Sequence, residues 1–123
     1  MDAVTLLMQH KDIQVDSKNI EGMTPLHYAA FFNRHECITV LLQHKSINVN
    51  AEDENKQTPL HMTALHNNMK AAEELLKHDN VDVNVTYSLG KTPHHYAAMY
   101  CDAQFFKLLV SNGADLSIKD HSA

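Results

Sequence analysis

The chain has 123 residues, enough for one domain, and a hydrophobic fraction of 44% that is ordinary for a globular protein. Its formal net charge of −5 speaks against a nucleic-acid role, since phosphate binding needs a basic face. No apolar run is long enough to span a bilayer, and Met1-Asp2-Ala3-Val4-Thr5-Leu6-Leu7 lacks the basic start and long apolar core of a secretory signal.

Met1 to Gln9 reads as a helix with Val4, Leu7 and Met8 on its apolar face. Ile13 to Met23 then reads as a loop and hairpin, with Gly22 placed for a positive φ before the return. Thr24-Pro25-Leu26-His27-Tyr28-Ala29-Ala30 follows. It recurs 34 residues later as Thr58-Pro59-Leu60-His61-Met62-Thr63-Ala64, and 34 residues after that as Thr92-Pro93-His94-His95-Tyr96-Ala97-Ala98. A fixed period in the thirties marks a stacked repeat array. Thr before Pro fits a helix start, because the hydroxyl caps free N–H groups and Pro at the first helical position loses no hydrogen bond.

The motif Thr-Pro-Leu-His-x-Ala-Ala, in three tandem copies, resembles the ankyrin repeat, and the resemblance covers nearly the whole chain. It implies an all-α solenoid of stacked helix-turn-helix units with projecting hairpin fingers. On this register the chain divides into a partial repeat over 1–21 and full repeats over 22–55, 56–89 and 90–123. The first full repeat should place helices near Pro25–Phe32 and His35–His44, with Asn33 at the turn and Cys37, Ile38, Leu41 and Leu42 inward. The second should place them near Pro59–His66 and Met69–His78, with Asn67 at the turn and Ala71, Ala72, Leu75 and Leu76 inward. The third should place them near Pro93–Tyr100 and Asp102–Ser111. Its core would be Phe105, Phe106, Leu108, Leu109 and Val110, and Gly113 would stop the last helix.

Several residues depart from the family pattern. The exits His44-Lys45-Ser46-Ile47-Asn48-Val49-Asn50 and His78-Asp79-Asn80-Val81-Asp82-Val83-Asn84 carry one extra residue and no Gly, which lengthens the usual period of about 33. His94 stands where a buried Leu is normal; without a partner its burial would cost on the order of 1–3 kcal/mol. Cys101 stands where Gly or Asn suits the turn. The last repeat, which also has no following neighbour in this sequence, is expected to open first. At the other end Leu7-Met8-Gln9-His10-Lys11 matches Leu41-Leu42-Gln43-His44-Lys45. The chain therefore starts at a return helix whose first helix is missing. Two readings stand: a fragment continued by residues not in this sequence, or a helix that is itself the cap, with Asp2, Thr5 and Gln9 facing water.

Ten His residues invite a metal or catalytic reading. His27, His61 and His95 are the motif's structural histidines. His10, His44 and His78 recur at the ends of return helices, where an imidazole meets the last carbonyls. Stacked repeats separate them by roughly 10 Å, so they cannot share one metal. No phosphate loop, Gly-x-Ser-x-Gly, His-Glu-x-x-His or Cys-x-x-Cys is present, so neither catalytic residues nor a cofactor is expected. Cys37 and Cys101 lie in different repeats, too far apart to bridge, and two free thiols fit an intracellular, cytoplasmic or nuclear, compartment.

The resemblance implies a non-enzymatic protein-binding module that uses its concave face and finger tips. Carried over by register, the helix positions are Phe31, Phe32, Leu65, His66, Met99 and Tyr100, with Tyr28, Met62 and Tyr96 just before them. The finger positions are Ile20, Glu21, Met23, Glu54, Asn55, Gln57, Ser88, Leu89 and Lys91. Their apolar and aromatic character points to an apolar or amphipathic partner segment, beside an acidic rim at Glu52-Asp53-Glu54. Tyr28, Met62 and Tyr96 fit either this surface or the core. The partner expected is another protein, with no nucleic acid and no membrane insertion, and the chain is expected to be monomeric unless its N-terminal edge pairs. The alternative is a structural spacer within a larger multidomain or membrane-associated protein. Asn84, after Leu76 and Asp82-Val83, resembles the asparagine that an intracellular oxygenase hydroxylates in ankyrin repeats; Asn50 resembles it less closely.

Overall fold

A computed structural model of the chain describes residues 18, 21–44, 47–86 and 90–118. The expected N-terminal helix, the finger positions Ile20, Ser88 and Leu89, and His10 lie outside the described residues. Those that are described form six helices: α1 (Pro25–Phe31), α2 (His35–Leu42), α3 (Pro59–Leu65), α4 (Met69–Leu76), α5 (Pro93–Tyr100) and α6 (Ala103–Ser111). They pair as three antiparallel hairpins. The first helices pack side by side, α1 on α3 and α3 on α5, and the return helices α2 and α4 pack in a second row.

Each first helix begins in the same way. Thr24, Thr58 and Thr92 are extended N-caps, Pro follows, and the His three residues on completes a capping box. Ala29, Ala30 and Ala64 on the first helices, with Ala71 and Ala72 on α4, are wholly buried, so neighbouring backbones approach closely. Leu26, Ile38, Leu41, Leu60, Leu75, Phe105 and Leu109 fill the space between. Leu42, Leu76, Phe106 and Leu108 pack on this core from its edge. Val110 does not join it: Phe105 and Leu109 lie one turn apart on the buried stripe of α6, and Val110, rotated off that stripe, is exposed.

The interhelix turns divide two to one. Asn33 and Asn67 are left-handed, at φ 57° and 54°. They close α1 and α3 with bonds from Arg34 N–H to the Ala29 carbonyl at 2.7 Å and from Asn68 N–H to the Thr63 carbonyl at 2.9 Å. Cys101 occupies the same register position but is extended, at φ −116°. It avoids the left-handed cost by letting α5 run one residue longer, and Asp102 then caps α6 by accepting from Phe105 N–H at 3.0 Å. The backbone of α2 runs close to that of α4, whereas the backbones of α4 and α6 stand farther apart and meet through side chains of the shared core.

The helix exits differ as their lengths do. Gly113, at φ 98°, ends α6 with Ala114 N–H on the Leu109 carbonyl and its own N–H on the Val110 carbonyl. The longer exits after α2 and α4 instead turn through Ile47 N–H on the His44 carbonyl and Val81 N–H on the His78 carbonyl.

Candidate functional site

The motif histidines bind one hairpin to the next. The backbone N–H of Thr24, Thr58 and Thr92 donates to Nδ1 of His27, His61 and His95 at 3.1, 3.1 and 2.9 Å. Nδ1 is therefore an acceptor and Nε2 carries the proton. Nε2 donates across to the next finger: to the Gln57 carbonyl at 2.8 Å, the Lys91 carbonyl at 3.0 Å and the Ile118 carbonyl at 2.8 Å. Burial lowers the pKa of His27 and pushes that of His61 down to about 4, outweighing the carbonyl bond, which favours the charged ring. His27 and His61 are thus neutral connectors, and all three rings have both nitrogens engaged.

His94 is buried like its register equivalents Leu26 and Leu60, at 4% exposure, but it is not unpartnered. Its Nδ1 lies 2.7 Å from the Thr92 hydroxyl, and its ring stands 4.5 Å from that of His95. The cost foreseen for an unpaired buried imidazole is thus largely offset. His78 also departs from expectation. Its Nδ1 accepts from Asn80 N–H at 3.1 Å, because the lengthened exit brings an N–H to the ring.

Asparagines make the outer connections. Asn50 donates to the Asn80 carbonyl at 2.7 Å and accepts from Asp82 N–H at 2.8 Å. Asn84 repeats the pair one hairpin on, donating to the Gly113 carbonyl at 3.1 Å and accepting from Asp115 N–H at 2.6 Å. At the interhelix turns Asn33 Oδ1 accepts from Ala71 N–H, and Asn68 Nδ2 donates to the carbonyls of Ala30 and Phe31. Cys101 Sγ reaches the Ala64 carbonyl at 3.0 Å in place of that amide, and burial pushes its thiol up to about 11.

The candidate binding residues separate by depth. Phe32, Met99 and Tyr100 are exposed at 59%, 54% and 53%, and His66 is exposed with them. Phe31, Leu65 and Met23 are half-buried and rest on the core. The Phe31 ring packs edge-on to Phe32 at 4.9 Å and to His66 of the next hairpin at 4.4 Å. Of the three positions that fitted surface or core, Met62 and Tyr96 are buried and Tyr28 stays at the surface with 37% exposure. The Tyr96 hydroxyl accepts from Gln57 Nε2 at 2.8 Å, so Gln57 is engaged within the stack.

The finger residues Glu21, Glu52, Glu54 and Asn55 are exposed, and Lys91 is half-buried. Glu54 N–H donates to the Glu21 carbonyl at 3.0 Å, which brings neighbouring fingers together. Gly22 sits at that contact; a Cβ there would lie 2.8 Å from Glu54 N. Asp53 Oδ1 accepts from the N–H groups of Asn55 and Gln57, so it shapes the finger.

Three hairpins with the same caps and the same histidine bridges are one unit repeated. The family model for ankyrin repeats, in its three-copy form, matches residues 1–53 and 45–120. The chain belongs to the ankyrin-repeat family. No curated protein matches it. Ankyrin repeats are in general protein–protein interaction modules and in general non-enzymatic. Among the described residues no three His, Cys, Asp or Glu are grouped to hold a metal ion, and no helix is long and apolar enough to cross a membrane. Neither cysteine of this ankyrin-repeat chain is in a disulfide.

Proposed function

We propose that the chain is a binding module that takes a partner protein on the face formed by its first helices and fingers. The observation that carries this reading is the run of exposed apolar side chains at the ends of α1 and α5. Phe32 and Tyr100 share one register position, with Met99 beside Tyr100. Large aromatic residues and Met held at the surface are costly in isolation and are enriched where partners dock. The stack beneath them is preformed, so little ordering entropy is lost on association. Two cysteines outside any disulfide support an intracellular setting, and 22–55, 56–89 and 90–123 are the repeat boundaries we assign.

An affinity pull-down with the full chain and with Phe32→Ala and Tyr100→Ala variants tests the reading. Partners should be lost from the variants while their helical content, by circular dichroism, stays unchanged. Equal recovery by all three proteins would favour a spacer role.

A further inference from the structure

We propose, resting on the binding-face reading above, that the segment this face takes is cationic and amphipathic. Two features of the face converge on that chemistry.

The first is the aromatic row. Phe32, His66 and Tyr100 fall at one register position at the C-terminal ends of α1, α3 and α5, and all three are exposed. Phe31, wedged between Phe32 and His66, fixes the start of the row, and Tyr96 lies 6.0 Å from the Tyr100 ring at its other end. An aromatic face carries negative charge density and attracts a guanidinium or ammonium, while its apolar area accepts the methylene stem of the same residue. Packed helices lie about 8–10 Å apart, so neighbouring anchors repeat at that interval. A partner helix returns to the same face every seven residues, about 10.5 Å, and an extended chain covers a similar distance in three.

The second is the charge on the fingers, which lead into the first helices at the end opposite the row. Glu21, Glu52 and Glu54 are exposed on fingers that the Glu54–Glu21 backbone bond holds together. Lys18 and Lys56 are the exposed described cations on the same fingers, and Lys18 Nζ bonds the Glu52 carbonyl at 3.0 Å. The finger balance stays acidic, in keeping with the net charge of −5. An anionic segment would meet repulsion from both the carboxylates and the ring faces. A cationic one is attracted by both.

Selection from a displayed library of random peptides, long enough to cross three hairpins, tests this. Peptides retained by the full chain are counter-selected against a Phe32→Ser/Tyr100→Ser double variant of unchanged helicity. We expect survivors rich in Lys and Arg, with apolar residues at seven- or three-residue intervals. A synthetic survivor should bind about tenfold more weakly to Glu52→Lys/Glu54→Lys protein, and weaken similarly as salt rises from about 0.05 to 0.5 M. Survivors that are acidic or neutral, or affinity indifferent to salt and to the finger substitutions, would overturn the cationic assignment and leave the binding face standing. A library yielding no peptide that separates the chain from the double variant would overturn the face itself.

Discussion

His61 Nε2 donates to the carbonyl of Lys91 at 3.0 Å, 30 residues away in the next finger, while Nδ1 of the same ring accepts from Thr58 N–H. One neutral imidazole thus caps its own helix and holds the following repeat. A second proton would face the Thr58 N–H and break the cap.

Acid should therefore loosen the stack. The folded-state pKa of His61 is about 4, chiefly through burial, against 6.5 for the free side chain. Below pH 6.5 the unfolded chain takes up the proton first, so the stabilisation is complete above 6.5 and falls as pH drops toward 4. From pH 7 to 5 this residue alone should remove about 2 kcal/mol, and His27, shifted in the same direction, should add to the loss. Urea unfolding at a series of pH values reads the slope directly.

Lys56 is a left-handed residue at φ 64°, and its register equivalents are Gly22 at 78° and Gly90 at 86°. Lys56→Gly should relieve the strain and raise stability by about 0.5–1 kcal/mol. Gly22→Ala should do the reverse and cost about 2 kcal/mol or more, since its Cβ would press on the Glu54 backbone. Denaturant midpoints of the two variants should move in opposite directions.

Asn84 holds two backbone groups of the next loop through one amide. Asn84→Ala should cost about 1–2 kcal/mol and deprotect the amide of Asp115 in hydrogen exchange. The same asparagine is our proposed hydroxylation acceptor. Mass spectrometry of the protein from its native cell should find a single added oxygen on the peptide that contains it, and an unmodified peptide would remove the proposal.

His94→Leu restores the hydrocarbon found at Leu26 and Leu60 and leaves the Thr92 hydroxyl to His95. Burial and the neighbouring His95 lower the pKa of His94, so its burden grows as pH falls below 6.5. The variant should gain about 1 kcal/mol near pH 7 and more at pH 5. Hydrogen exchange should place that gain in α5 and α6.

The motif carried most of the fold. Thr-Pro-x-His located every first helix to within a residue, and Asn33 and Asn67 announced their left-handed turns. The reach of side chains across the stack was less legible. Nothing in the period says that Asn33 will cap a backbone group in the next repeat, or that His94 will find the Thr92 hydroxyl. Tyr28 and Tyr96 share a register position, yet only Tyr96 is buried, with its hydroxyl meeting the Gln57 amide. Lys56 could have been found, since Gly22 and Gly90 mark its place at the same interval. The turn at Cys101 was half legible: the residue was out of keeping with a left-handed turn, but nothing in the register said that the backbone would run extended there.

That extended turn gives the array a direction. α6 lies close along α5, and Asn84 holds the loop at its end through Gly113 and Asp115, so this hairpin leans on its neighbour through the first-helix row and that loop more than through the return-helix row. Under mechanical load or limited proteolysis α6 should part from α4 before α5 parts from α3, so Tyr100 and Met99 stay with the row of first helices.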